Sequence, residues 1–215
     1  MAESKSEVLI GVKSYQDTPL QIAVSKGHLH IAECLLDQGA DPNLTGKHSI
    51  RPPLILATEN ADIEMATLLL QAGADVHSAH KGTALHIAAA DGSRDLVQLF
   101  LNHGASLEEE SPGGQSPLHV AVENSQQEAA SLLIAAGAEL SVKDKHGRTP
   151  LFLALMNEDS ELGKMLMTAI DANNQGELRP QPNQENLEPP ASLKAQRSPS
   201  KKGKGHIFYL PGNGK

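Results

Sequence analysis

Five short segments of the chain are variants of one tripeptide: Thr18-Pro19-Leu20, Pro52-Pro53-Leu54, Thr83-Ala84-Leu85, Ser116-Pro117-Leu118 and Thr149-Pro150-Leu151. Successive leucines are 34, 31, 33 and 33 residues apart. An alanine stands three positions after each, at Ala23, Ala57, Ala88, Ala121 and Ala154. A Gly-Ala pair begins nineteen residues after the first four leucines, at Gly39, Gly73, Gly104 and Gly137. This period restricts the fold more than any other property of the chain. A unit of about 33 residues cannot bury an apolar face alone, so it must stack on copies of itself.

Each landmark has a local physical role. Thr or Ser ahead of Pro supplies a helix N-cap with Pro at the first helical position, which satisfies free amides and fixes φ in advance. Apolar residues then recur at helical spacing in a second segment, as at Ile31, Cys34 and Leu35 or at Leu96, Leu99 and Phe100. The glycine of each Gly-Ala pair ends that second helix in the left-handed region. Hydrophobic residues make up 39% of the chain with no Trp, two Tyr and three Phe. Leu, Ala, Ile and Val therefore carry the core, which favours close-packed helices over an aromatic-rich sandwich. On the tripeptide, the period, the alanine and the Gly-Ala stop together, the chain resembles the ankyrin-repeat family, whose repeats of about 33 residues open with T-P-L-H. The resemblance implies an all-α solenoid in which each repeat is a helix-turn-helix followed by a β-hairpin loop.

On that reading residues 17–49, 50–80, 81–113, 114–146 and 147–170 are repeats one to five, the fifth acting as a cap. Residues 1–16 are an N-terminal cap or a partial repeat, and bare apolar surface at that end would mark the chain as a fragment. Residues 171–215 are a disordered basic tail. The step from the Gly-Ala glycine to the next leucine is 15 residues at Gly39, 12 at Gly73 and 14 at Gly104 and Gly137. The second hairpin loop, around residues 77–81, is therefore expected to be clipped. In the fifth repeat Thr168-Ala169-Ile170-Asp171 replaces the stop.

No catalytic constellation stands out. The chain has no serine elbow, no Gly-rich phosphate loop and no H-E-x-x-H, and neither an enzymatic activity nor a cofactor or metal is expected. One cysteine excludes an intramolecular disulfide and a Cys-cluster zinc site. Cys34 aligns with Leu68, Leu99, Leu132 and Met165 and is expected to be a small core hydrophobe. His86 and His119 fill the fourth place of the T-P-L-H tetrad, where the other repeats have Gln21, Ile55 and Phe152. In the family that histidine bonds to neighbouring turns, so a structural role is expected. His77 and His80 have no further ligands nearby in sequence. Asp41-Pro42-Asn43 resembles the D-x-N that closes a repeat and braces its hairpin. The family's asparaginyl hydroxylase can modify such residues, which makes Asn43 a candidate modification site. The glycosylation sequon formed by Asn43, Leu44 and Thr45 is discounted, because the N-terminus lacks the roughly 7–15-residue apolar stretch of a secretory signal. No apolar run approaches the roughly 18 residues of a membrane span. The expected setting is cytoplasmic, nuclear or both.

What remains is surface. The resemblance implies recognition of partner proteins by hairpin tips and by the concave face of the first helices. The tip positions are Lys47, His48 and Arg51, then His77 and Lys81, then Glu108, Glu109 and Glu110, then Lys143, Lys145, His146 and Arg148. On the first helices they are Ser25, Lys26, Glu59, Asn60, Ala90, Asp91, Glu123, Asn124, Met156 and Asn157. Reversing Glu108, Glu109 and Glu110 to Lys is expected to weaken the main partner and to leave thermal stability nearly unchanged. The expected function is a non-enzymatic adaptor or scaffold, monomeric as a solenoid. The alternatives are a stoichiometric inhibitor of a transcription factor or kinase, or the targeting fragment of a larger kinase or ubiquitin ligase.

Charge separates the two parts of the chain. Residues 1–167 hold 11 Lys and Arg against 22 Asp and Glu, a net of −11, and residues 168–215 hold 7 against 4, a net of +3. The acidic repeats argue against nucleic-acid binding. In the tail, Ser198-Pro199-Ser200-Lys201 resembles a proline-directed kinase site, so Ser198 is a candidate phosphorylation site. Ile207, Phe208, Tyr209 and Leu210 hold two of the five aromatic residues. They are either a linear motif that orders on a partner or the first strand of a domain cut off by an early stop.

Overall fold

The structure, a computed structural model, describes residues 17–47 and 50–175, among which lie ten α-helices. They pair consecutively: α1 (Pro19–Ser25) with α2 (Leu29–Asp37), α3 (Pro53–Glu59) with α4 (Ile63–Gln71), α5 (Ala84–Asp91) with α6 (Arg94–Asn102), α7 (Pro117–Glu123) with α8 (Gln127–Ala135), and α9 (Pro150–Met156) with α10 (Ser160–Asn174). First helices pack on first helices of the next pair and second helices on second helices, giving a two-layered stack of five repeats.

The local causes are visible at the helix ends. The Thr18 hydroxyl accepts the Gln21 N–H at 3.1 Å and the Thr149 hydroxyl accepts the Phe152 N–H at 3.2 Å. Asp62 and Asp159 cap α4 and α10 in the same way, at 2.9 and 3.0 Å. Between the two helices of every repeat one residue takes a positive φ: Gly27, Ala61, Gly92, Ser125 and Glu158, at 68°, 52°, 72°, 54° and 55°. Three of those five are not glycine. The second helices of repeats one to four are nine residues each and stop before Gly39, Gly73, Gly104 and Gly137, all with positive φ. Repeat five has no such glycine, and α10 runs for 15 residues. The expected end of that repeat at residue 170 therefore falls inside a helix, because nothing at Ile170 favours the left-handed turn that would interrupt the ladder.

The core consists of the repeat leucines Leu20, Leu54, Leu85 and Leu118, the five alanines three residues on, and an i, i+4 pair from each second helix after the first. Those pairs are Met65 with Leu69, Leu96 with Phe100, Ala129 with Leu133, and Leu162 with Leu166, all fully buried. Repeat one corrects the expectation for Cys34. Cys34 is exposed, Ile31 is 51% exposed and Leu35 is only half-buried. Leu162 and Leu166 are buried in the last repeat, so the cover at these positions comes from the preceding repeat. No described residue precedes repeat one.

No β-strand occurs among the described residues, and the hairpin arms reduce to single backbone pairs. Ser111 N–H donates to Gln115 O at 2.9 Å, and Asp144 N–H to Arg148 O at 3.0 Å. In the second loop the corresponding pair is His80 N–H to Gly82 O at 3.2 Å, which encloses one residue in place of three, beside an isolated bridge between Ala79 and Thr83. The loop is thus clipped by two residues, as the spacing predicts. Gly82 has φ 145°, and a Cβ there would stand 3.1 Å from the His86 Cβ, so the shortened turn depends on glycine.

Candidate partner-binding surface

The bases of the first, third and fourth loops are each tied to the repeat before them. His86 Nδ1 accepts the Thr83 N–H at 3.2 Å and lies 2.9 Å from the Thr83 hydroxyl, while its Nε2–H donates to Gln115 O at 2.9 Å. Burial holds the His86 imidazole below its usual pKa, with partial opposition from the Gln115 carbonyl. His119 repeats the arrangement between Ser116 and Arg148 O, at 3.2, 2.9 and 3.1 Å. Gln21 does the same work with an amide: Nε2–H donates to Arg51 O at 2.7 Å, and Oε1 accepts the Thr18 and Gly46 N–H groups at 2.9 and 2.7 Å. These contacts give the tetrad histidines the structural role expected of them.

A second ladder links the loop entrances. Asn43 Oδ1 accepts the Asp75 N–H at 2.8 Å and its Nδ2–H donates to Gly73 O at 3.1 Å, bracing repeat two. Glu108, the equivalent residue two repeats on, accepts the Glu139 N–H at 2.9 Å. Hydrogen bonds from the Ser141 hydroxyl and N–H hold the Glu139 carboxyl below the usual range. Glu109 meets His77 at 2.8 Å across the loops.

The sequence-predicted surface residues therefore divide. Arg51 pairs with Glu59 of α3 at 2.7 Å. Arg148 pairs with the buried Asp144 at 2.7 Å and lies 3.7 Å from Glu123 of α7. Burial raises the Asp144 pKa, but the Arg148 N–H, its guanidinium and the His146 N–H outweigh burial and leave the carboxyl low. Lys145 Nζ donates to Pro112 O at 2.6 Å, so the fourth loop leans on the third. Lys81, Glu110, Lys143 and His146 are exposed, and their side chains make no hydrogen bond or ion pair among the described residues. Lys47 is exposed. His48, Ser198, Ile207, Phe208, Tyr209 and Leu210 lie outside the described residues.

On the first helices, Asn60 and Asn157 reach back to carbonyls of the previous repeat, at 3.4 and 3.5 Å from Val24 and Ser25 and at 3.5 and 3.0 Å from Val122 and Glu123. Ser25, Lys26, Asp91, Glu123, Asn124 and Met156 are exposed, and Ala90 is half-buried. Sequence reasoning missed the coupling of loop to helix at Arg51 with Glu59 and at Gln115 with Glu123, the latter at 2.6 Å. The eight-residue spacing common to both pairs is the signal that could have revealed it. Among the described residues no three His, Cys, Asp or Glu side chains gather as a metal site, and no helix is long and apolar enough to cross a membrane.

Comparison with known proteins agrees with this geometry. The family described as ankyrin repeats (3 copies) matches residues 4–80, 54–144 and 85–176. The chain is 35% identical over 110 residues to the ankyrin repeat and KH domain-containing protein mask of Drosophila melanogaster, covering 49% of this chain and 3% of that protein. It is 36% identical over 105 residues to the B-cell lymphoma 3 protein homolog of Mus musculus, covering 47% and 23%. A third relative, transient receptor potential cation channel subfamily A member 1 of Homo sapiens, is 30% identical over 106 residues, covering 48% and 9%. The chain thus spans less than a quarter of the length of each. With its period, helix pairs and buried tetrads matched along nearly the whole stack, the chain belongs to the ankyrin-repeat family.

Proposed function

We propose that the chain is a non-enzymatic adaptor or scaffold, cytoplasmic, nuclear or both, that binds partner proteins through its loop tips and the exposed row of its first helices. Ankyrin repeats are in general protein-interaction modules, typically without catalysis. The observation that carries the finer reading is the division among the tip residues. Lys81, Glu110, Lys143 and His146 project unpaired, among the described residues, from loops closed at their bases by hydrogen bonds, a backbone pair at the second loop and a histidine rung as well at the third and fourth. A partner then meets a surface whose backbone is already ordered, which lowers the entropic cost of association. Recognition on this reading is surface complementarity with no bond made or broken.

The test is proximity labelling in cells with the full chain and with a Lys81→Glu, Lys143→Glu, His146→Glu variant. Loss of a defined set of neighbours with unaltered thermal unfolding is expected; an unaltered set moves the interface off the tips. A stoichiometric inhibitor is the narrower form of the same reading, marked by nanomolar binding that silences one partner. One observation favours a second reading, a targeting segment inside a larger kinase or ubiquitin ligase: the matching stretch is only 3% to 23% of the three relatives' length. A native protein much heavier than this chain would support that reading.

A further inference from the structure

The two ends of the stack bare the two halves of one interface. Positions one and four after the repeat leucine are buried in each of the first four repeats, as at Ile55 and Thr58. In the fifth repeat they are Phe152, 47% exposed, and Leu155, 59% exposed. The first repeat buries its pair with no described residue before it, so cover for this side comes from the repeat that follows. The opposite side needs the repeat before. Positions eleven and fifteen are fully buried in repeats two to five, as at Met65 and Leu69, whereas in repeat one Ile31 is 51% exposed and Leu35 only half-buried. Position two behaves alike: Leu56 and Leu153 are buried, and Ile22 is 43% exposed. A stack that met water at both ends would carry polar residues there, as terminal caps do.

We infer that copies of this chain associate head to tail, the side of repeat five that carries Phe152 and Leu155 seating the side of repeat one that carries Ile22 and Ile31 on the next copy. The chain supplies its own template. Wherever one repeat follows another, first helices pack on first helices and second helices on second helices, and the two bare sides are those that meet there. The new junction is of the apolar kind already present at the second connection, where Ile55 stands fully buried at the position of Phe152. A polar contact selects the same occupant. Asn60 Nδ2–H donates to Val24 O and Ser25 O of the repeat before it, at 3.4 and 3.5 Å, and Asn157 reaches Val122 O and Glu123 O in the same way. The equivalent residue of repeat one is Lys26, exposed and itself a donor. Seated on repeat five of another copy, it meets Leu155 O and Met156 O at the C-terminal end of α9, where a cation is favoured. Because the contact joins unlike surfaces, it extends as an open row of copies unless the rotation closes a ring.

The experiment is sedimentation of the full chain at high salt, where repulsion between acidic stacks is screened, over roughly a hundredfold range of concentration. A mean mass that climbs with concentration past two copies is the expected result. The decisive arm mixes two variants. Phe152→Glu, Leu155→Glu spoils one side and Ile22→Glu, Ile31→Glu the other, and each is expected to stay a single chain by itself, because every contact needs one side of each kind. Mixed, the intact side of one variant meets the intact side of the other, and the mass stops at two copies. Lys26→Glu, a surface change that leaves the core alone, is expected to weaken assembly about two- to fivefold, and Lys26→Asn to retain it. A single chain at every concentration overturns the inference. So does an Ile22→Glu, Ile31→Glu variant that pairs with itself, since like sides would then be meeting. A mixture no heavier than its components, or a Lys26→Glu protein that assembles like the parent, overturns it as well.

Discussion

The second and fourth inter-repeat connections join the same kinds of helices, but opposite chemistry holds them. At the fourth, His119 is bonded on both ring nitrogens, to Ser116 behind it and to Arg148 O in the loop ahead. At the second, Ile55 fills the same place fully buried, and Gly82 O, the carbonyl such a histidine would reach, accepts His80 N–H within a shortened loop. The reason lies three residues earlier. Ser116 offers an N–H and a hydroxyl to Nδ1, whereas Pro52 has neither, so a buried imidazole after Pro52 would keep an unpaired nitrogen. Cap and rung vary together because each is half of one hydrogen-bonded unit.

The largest expected effect breaks the bonded connection. His119→Leu leaves the Ser116 N–H buried without a partner and strips the Arg148 carbonyl of one of its two hydrogen bonds, at a cost of about 2–4 kcal/mol in chemical unfolding. The reciprocal change, Ile55→His, should not stabilise the second connection and should lose about 1–3 kcal/mol for its unpaired Nδ1. A stabilised Ile55→His protein would refute the role given to Pro52.

Next is a pH effect at the His86 rung. Burial places the folded-state pKa of His86 below the ordinary 6.5, so the unfolded chain takes up the proton first. The contribution of His86 is therefore complete above about pH 6.5 and is lost as the pH falls from there through the folded-state value. Gln21 already serves as a rung with an amide that cannot titrate. His86→Gln should accordingly keep most of the stability at pH 7.5 and flatten its decline below pH 6.5. An unchanged pH profile would show that the proton is taken up elsewhere.

These pairings show how far the sequence could be read. Thr18 with Gln21, Thr83 with His86, and Ser116 with His119 are adjacent in the repeat, and periodicity alone brings each to its loop, so fold and rungs were legible. The clipped loop was legible too, because two missing residues leave a shorter count. The surface was harder. Glu108 reads as one of three acids on a fingertip, yet its carboxylate accepts the Glu139 N–H from the next repeat, a bond set by three-dimensional register. Cys34 reads as core because its equivalents are packed, and only the stack shows that its cover must come from the repeat before. Glu108→Lys is thus expected to cost about 0.5–1.5 kcal/mol through the lost bond, and Glu110→Lys to stay within about 0.5 kcal/mol of the parent. The triple reversal would then lower thermal stability, contrary to the expectation from sequence, and Glu110→Lys alone is the cleaner probe of binding.

The smallest effect concerns the turn inside each repeat, where repeats one and three differ from two, four and five. Gly27 and Gly92 reach positive φ freely, but Ala61, Ser125 and Glu158 reach it against the contact of their own Cβ with the backbone. That contact costs roughly 1–2 kcal/mol, and the extra freedom of glycine in the unfolded chain returns about 0.4–1 kcal/mol of it. Ala61→Gly should therefore stabilise the protein by about 0.5–1 kcal/mol, with Ser125→Gly close behind. Gly27→Ala, where an added Cβ meets nothing within 4 Å, should lose a similar amount through φ alone. If Ala61→Gly destabilises while Gly27→Ala also does, the turn is held by packing around the alanine methyl, and equivalence of the five turns would fail at the level of energy even though it holds in backbone angle.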